Sequence, residues 1–264
     1  MPPSPPSGSR SAVAGRLRAA GCVFAEDEAR LLIAAAGSPA ELAGLVDLRV
    51  AGRPLEHILG WAEFCGLRIF VEPGVFVPRR RTAFLVRQAA ACARPGAVVV
   101  DMCCGSGAVG AALAASLEGL ELHAADIDPA AARCARRNLA RAGGRVYEGD
   151  LYGALPDMLR GRVDVLVANA PYVPTGDIGM MPPEARVYEP HAALDGGPDG
   201  LEIQRRIAAG APSWLRPGGR LLIETSRRQA PEAAGMFRRA GLIPRVAGSD
   251  DLEATVVVGA LPVG

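Results

Sequence analysis

Over the last two thirds of the chain, short apolar runs alternate with longer stretches of helical periodicity. "AVVVDM" (97–102), "LELHAAD" (120–126), "RVYEGD" (145–150), "VDVLVAN" (163–169) and "RLLIET" (220–225) have strand length and near-continuous aliphatic character, the pattern of strands buried on both faces. Between them, "SGAVGAALAASLEG" (106–119), "DPAAARCARRNLARAGG" (128–144), "GLEIQRRIAAGAPSWL" (200–215) and "APEAAGMFRRAG" (230–241) read as helices. In the second of these, Asp128 is the expected N-cap, Pro129 the first helical residue, and glycines follow the end. The last two runs, "LIPRVAG" and "EATVVVG", form a predicted hairpin that leaves one antiparallel strand. Strand–helix alternation of this kind predicts an α/β fold with a doubly wound, mostly parallel sheet and ligands at the carboxyl ends of its strands.

The first third follows other rules. Residues 11–55 are helical and rich in small residues; "DEARLLIAAAG" sets Ala29, Leu32 and Ile33 on one stripe before Gly37 ends it. This predicts a small helical cap, to which the resemblance described below assigns substrate recognition. Residues 56–81 mix aromatic and β-branched residues with Gly60, Gly66, Pro73 and Gly74, which suggests a linking β-hairpin before the main domain at 82–264. Residues 1–10, "MPPSPPSGSR", are expected to be disordered.

Composition narrows the function classes. The 264 residues carry 29 basic and 28 acidic side chains, so no global charge favours nucleic acid and no stable nucleic-acid binding is expected. Every one of the cations is arginine. The six cysteines show neither C-x-x-C pairing nor zinc spacing, which predicts reduced thiols, no metal and a cytoplasmic setting. No signal peptide and no membrane-length apolar run is visible.

Two stretches carry chemistry. "DMCCGSGAVG" places Gly105, Gly107 and Gly110 between a strand and a helix, and Asp126 closes the next strand, the outline of a dinucleotide fingerprint. Asp101, which closes the first strand, decides against a dinucleotide. A pyrophosphate on the loop would meet that carboxylate, and like charges about 4 Å apart repel by roughly 4 kcal/mol at an effective dielectric of 20. S-adenosylmethionine has no phosphate but carries an ammonium and a sulfonium, for which Asp101 is a favourable neighbour, while Asp126 can accept the ribose hydroxyls. Cys103 and Cys104 read as small residues where the backbone approaches a ligand, with no histidine nearby in sequence to activate a thiol.

The strand at 163–168 ends in Asn169-Ala170-Pro171-Tyr172. Pro171 biases Ala170 toward an extended conformation that frees its carbonyl. The Asn169 side-chain oxygen and the Ala170 backbone oxygen can then accept both hydrogens of one planar NH2, with the Tyr172 ring packed on the π-system that bears it. Holding both hydrogens draws electron density onto a nitrogen whose lone pair is otherwise delocalised, and aims that lone pair at a methyl donor.

With "RPLEHILGWAEFCGLRIFVEPGVFVPR", "ADIDPAAARCARRNL" and "PPEARVYEPHAALDGGPDGLE" added to these two motifs, residues 53–225 resemble the protein-(glutamine-N5) methyltransferases of the HemK/PrmC type. The resemblance implies a Rossmann-like class I S-adenosylmethionine-dependent methyltransferase with a seven-stranded sheet, a small N-terminal helical domain and a linking β-hairpin. It also implies a monomer whose protein substrate is a peptide chain release factor, methylated on the glutamine of a Gly-Gly-Gln motif. The residues expected at the cofactor are Thr82, Asp101, Cys103, Cys104, Gly105, Gly107, Asp126, Ile127, Asp150, Leu151 and Asn169. Those expected at the acceptor are Asn169, Ala170, Pro171, Tyr172, Arg79 and Glu189, with the tetrapeptide catalytic. Two departures stand out: the family's tetrapeptide is usually Asn-Pro-Pro-Tyr, and "PRRRTA" (78–83) puts Arg81 and Ala83 where glutamates are common. Three alternatives stay open: an adenine-N6 or cytosine-N4 methyltransferase, a non-catalytic S-adenosylmethionine-binding module, and a dinucleotide oxidoreductase.

Overall fold

The computed structural model of the protein describes residues 10–263; the expected disorder of the N-terminus therefore lies outside the described residues, except at Arg10, which opens the first helix. Helices α1 (Arg10–Ala19), α2 (Ala25–Ala35) and α3 (Pro39–Val50) pack round a core of Val13, Leu17, Leu32 and Val46. Ser38 caps α3, its hydroxyl accepting the Glu41 N–H at 3.2 Å, with Pro39 as the next residue. A short helix, α4 (Leu55–Leu59), occupies the start of the stretch expected to be a hairpin. Its Leu55, Ile58 and Leu59 pack on the same core, and Gly60 ends it in the left-handed region at φ 76°. The hairpin is confined to β1 (Trp61–Phe64) and β2 (Leu67–Phe70).

Helix α5 (Ala83–Ala90), which no motif announced, leads into the sheet. The chain then runs β3 (Val98–Met102), α6 (Ala108–Ser116), β4 (Glu121–Asp126), α7 (Pro129–Leu139), β5 (Arg145–Glu148) and β6 (Val163–Ala168). After β6 come a long loop carrying α8 (Pro183–Tyr188), then α9 (Glu202–Gly210), β7 (Leu215–Thr225), α10 (Ala230–Arg239), β8 (Ile243–Ser249) and β9 (Ala254–Ala260). The helix expected to reach residue 215 stops at Gly210, because Pro212 turns the chain into a 3₁₀ turn and Leu215 already pairs with Val163.

The strands order as β5-β4-β3-β6-β7-β9-β8, and β9 alone runs antiparallel to its neighbours. This is the seven-stranded, mostly parallel, Rossmann-like sheet that the resemblance implies. β3 is buried at every position, as is β6, so both sheet faces are covered by helices. Because β3 lies between β4 and β6, the sheet order reverses at β3, and the ends of β3, β4 and β6 open into one crevice.

An ion network ties the helical cap to the loop after β6. Arg49 on α3 contacts Glu28 on α2 and Glu184 on α8, both at 2.6 Å, and the Tyr188 hydroxyl donates to the Ala51 carbonyl at 3.2 Å. Arg49 and Glu28 are nearly sealed from solvent. Replacing Arg49 by Met leaves the Glu28 carboxylate buried without a counter-charge, which should cost about 3–5 kcal/mol. Hydrogen exchange should show the loss in α1–α3, and the double variant Arg49→Met, Glu28→Gln should recover part of it.

Candidate active site

The loop after β3 takes three residues through the left-handed region: Cys103 (φ 56°), Gly105 (φ 55°) and Gly107 (φ 75°). Its glycines serve different ends. A Cβ on Gly105 would meet nothing within 4 Å, whereas one on Gly107 would come to 3.1 Å of the Ala135 backbone on α7. Gly107 therefore lets α6 start against α7, while Gly105 leaves the crevice open. At Gly110 an added Cβ would lie 3.2 Å from Asp101 Oδ2, the oxygen that accepts the Gly110 N–H at 2.9 Å. Asp126 receives Gly105 N–H at 2.8 Å on one oxygen and Asp128 N–H at 2.9 Å on the other.

Asp101, Cys103, Gly105 and Asp126 line a cavity of about 780 Å³, which also takes in Thr82, Ile127, Asp150, Leu151 and Asn169; Gly107, expected at the cofactor, does not line it. Ile127 is 60% exposed there, an aliphatic surface at the mouth with nothing packed on it. Burial raises the Asp101 pKa to about 8; the Gly110 N–H bond offsets only part of that rise, and Asp126 adds a smaller upward push. Asp126 is raised for the same first reason, loss of solvent. Arg206, the arginine on the wall, is paired with Asp150 at 2.5 Å. Two under-compensated carboxylates beside a glycine loop fit a cationic, phosphate-free ligand and repel a pyrophosphate, so S-adenosylmethionine suits this cavity and a dinucleotide does not. Asp101 would hold its ammonium, Asp126 its ribose, and Ile127 and Leu151 its base. Cys103 and Cys104 line the cavity as thiols, since burial and the nearby carboxylates both raise their pKa values.

The tetrapeptide follows β6 directly and stands between this cavity and a small side pocket. Asn169, Pro171 and Phe76 line both spaces; Ala170 and Tyr172 line only the side pocket, together with Arg79, Arg81 and Glu224. Asn169 Nδ2 lies 3.4 Å from Thr82 Oγ1, and no described residue donates to Asn169 Oδ1 or to the Ala170 carbonyl. The pair of acceptors is thus left without protein donors. The Tyr172 carbonyl is fixed by Gln229 Nε2 at 3.0 Å and by the close approach of Gly200, where a Cβ would come within 2.4 Å of it. The Tyr172 hydroxyl donates to Glu224 Oε1 at 3.4 Å, and Arg81 lies 5.9 Å from the ring centre. Burial beside Glu224 raises the phenol to about 12.

Glu189 lines neither space. Its oxygens accept Val77 N–H at 3.2 Å and Arg79 Nη2 at 2.5 Å, so it braces the 76–79 segment against the loop after β6. Phe76, Glu224 and Gln229 carried no local motif in the sequence; they reach the site from the linker, the end of β7 and the start of α10 only through tertiary packing.

Residues 66–181 match the Methyltransferase small domain family. The release factor glutamine methyltransferase of Geobacter sulfurreducens is 42% identical over 227 residues, spanning 84% of this chain and 79% of that protein. The chain belongs to the release factor glutamine methyltransferase family. Within reach of this family lies the 4-amino-L-phenylalanine/4-methylamino-L-phenylalanine methyltransferase of Streptomyces pristinaespiralis, 37% identical over 200 residues, spanning 73% of this chain and 68% of that protein. In fold, a methyltransferase from Pyrococcus furiosus superposes with a TM-score of 0.57 at 17% identity, over 75% of this chain and 90% of that one. As a member of the release factor glutamine methyltransferase family, the protein uses S-adenosylmethionine as its cofactor.

Cofactor binding in this family member should depend on pH through Asp101. Its carboxyl in the free protein is raised to about 8, and an ammonium ligand favours the ionised form, so binding below that pH must expel a proton. Affinity should therefore fall as pH drops from 8 to 6, by at most about tenfold per unit. Calorimetry in buffers of different ionisation enthalpy should register the released proton, and Asp101→Asn should abolish both the release and the slope.

Proposed function

We propose that this protein methylates the side-chain amide nitrogen of a glutamine, in the Gly-Gly-Gln motif of a peptide chain release factor. The observation that carries the reading is the pair of acceptors without protein donors, Asn169 Oδ1 on the wall between the cofactor cavity and the side pocket and the Ala170 carbonyl in that side pocket. S-adenosylmethionine supplies an electrophilic methyl on a positively charged sulfur. The chain's own residues prepare the acceptor. Asn169 Oδ1 and Ala170 O each take one hydrogen of the amide NH2, which opposes delocalisation of the nitrogen lone pair and keeps it directed toward the cavity. The Pro171 ring fixes the direction of the Ala170 carbonyl, and Tyr172 and Phe76 wall the pocket for the flat amide. No strong base is needed, since the nitrogen becomes acidic once methylated and water can take its proton.

The helical cap, α1–α4, is the proposed docking unit for the protein substrate. Its tie to α8 through Arg49 and Glu184 sets the cap beside the loop that follows the tetrapeptide, and Phe24 at the start of α2 is 69% exposed. A protein lying on the cap would reach the crevice with one extended loop. The protein acts as a cytoplasmic monomer that does not bind nucleic acid stably, in keeping with its balance of 29 basic and 28 acidic side chains. No helix among the described residues is long and apolar enough to cross a membrane.

A conjugated NH2 on an aromatic ring presents the same two hydrogens, and the Streptomyces pristinaespiralis relative is named for such an acceptor. Labelled S-adenosylmethionine should therefore be offered with release factors, with 4-amino-L-phenylalanine and with DNA, and the product mapped by mass spectrometry. Label on the glutamine is expected; label confined to the aromatic amine or to nucleic acid would overturn the assignment, and binding without transfer would make the protein a non-catalytic module. Asn169→Ala should lower turnover by roughly 100-fold or more while cofactor affinity stays within a few-fold. Ala170→Pro should be tolerated, because that position acts through its carbonyl, and a steady-state assay on the same acceptor would detect any loss.

A further inference from the structure

Asn138, in the last turn of α7, lines neither the cofactor cavity nor the side pocket, yet its amide joins two segments that build the cofactor cavity. Its Nδ2 donates to the Ser106 carbonyl in the glycine loop at 2.8 Å and to the Phe70 carbonyl at the end of β2, also at 2.8 Å. Its Oδ1 accepts the Phe70 N–H at 2.9 Å. The three partners fix one orientation of the amide: two carbonyls need two donors and one N–H needs an acceptor, a set that a carboxylate or a hydroxyl does not carry.

The Ser106 peptide has little of its own to hold it. Glycines in the left-handed region flank it, Gly105 at φ 55° and Gly107 at φ 75°. The Gly110 N–H, which would lie nearest in a continued helix, is taken by Asp101 at 2.9 Å, and no backbone N–H of a described residue bonds the Ser106 carbonyl. The Asn138 NH2 is its donor. Ser106 lines the cavity beside Gly105, whose N–H holds Asp126 at 2.8 Å. Phe64 of β1 lines the same cavity, as do Phe76 and Pro78, which follow β2 in the chain. One amide outside the cavity therefore sets the spacing between the glycine loop and the hairpin segment that completes the wall.

We propose that Asn138 is a positioning residue for S-adenosylmethionine, which holds the glycine loop at the distance from the β1–β2 hairpin that the cofactor needs. It acts through Ser106 and requires no contact with cofactor or substrate. The proposal concerns the cofactor side alone, so it stands whichever NH2 group is methylated. Such coupling is reciprocal: if the grip of Asn138 on Ser106 favours bound cofactor, bound cofactor tightens that grip by the same factor.

The test compares wild type with Asn138→Ala, Asn138→Asp and Cys134→Ala. Asn138→Asp keeps an acceptor for the Phe70 N–H but turns a carboxylate oxygen toward both carbonyls. Cys134→Ala is the control, since the Cys134 thiol donates to the Phe70 carbonyl at 3.0 Å and makes a bond to the hairpin with none to the loop. Both Asn138 variants should raise the dissociation constant for S-adenosylmethionine by about tenfold or more, with kcat at saturating cofactor within about threefold of wild type, because bound cofactor then holds the loop itself. Cys134→Ala should leave the dissociation constant within about twofold. Unchanged affinity in Asn138→Ala would overturn the proposal, as would an equal loss in Cys134→Ala, which would make the hairpin anchor the cause. Wild type supplies an arm that no folding failure removes: hydrogen exchange of the Asn138 side-chain NH2, followed by NMR, should slow by about fivefold or more when S-adenosylmethionine is added, and an unchanged rate rejects the idea.

Discussion

The parallel pairing of β3 with β6 is the constraint on which the site depends. Asp101 stands opposite Val167, and Met102 opposite Ala168, so the glycine loop and Asn169 leave the sheet side by side, at one edge and in one direction. A slip of one residue would turn Asp101 to the other face of the sheet and put the tetrapeptide out of step with the loop. That register is held by apolar burial on both faces, since each residue of β3 and β6 is sealed by the helices above and below. The chemistry is polar, but its placement is the work of aliphatic side chains.

Charge is distributed to match. Asp101 and Asp126 are gathered at the glycine loop with backbone N–H groups as their close donors among the described residues, so burial raises both carboxyls and a cationic ligand would favour their ionised forms. Around the side pocket the carboxylates are answered by arginines: Glu224 by Arg81 on its wall, and Glu189 by Arg79 behind it. One compartment thus favours a cation, while the other is nearly balanced. The arginine-rich turn at 79–81 belongs to the second compartment, where Arg79 and Arg81 pair with carboxylates that arrive from distant segments.

The loop after β6 links the helical cap to the cavity. It begins with the Asn169–Tyr172 tetrapeptide, touches the helical cap through Glu184 and Tyr188, and braces the 76–79 segment through Glu189. Gly200 and Gln229 then fasten its far end to the Tyr172 carbonyl. A segment with so many distant anchors can carry the position of the cap to the acceptor pocket.

By itself the sequence determined the order of strands and helices, the glycine loop with Asp101 and Asp126, and the tetrapeptide, because each is written in periodicity or in contiguous residues whose backbone demands are local. It also carried the preference for a phosphate-free cofactor, which followed from one carboxylate at a strand end. The boundaries at α4 and Gly210 escaped it, since Leu55, Ile58 and Leu59 are helical through burial on the cap core and Leu215 is extended through pairing with Val163. Only the tertiary structure decided that Gly107 serves helix packing while Gly105 opens the crevice, that Glu189 is a brace, and that Glu224 meets the Tyr172 hydroxyl. Those assignments depend on which side chains meet across elements far apart in the chain, and such meetings are fixed by sheet register and helix packing, on which local sequence is silent.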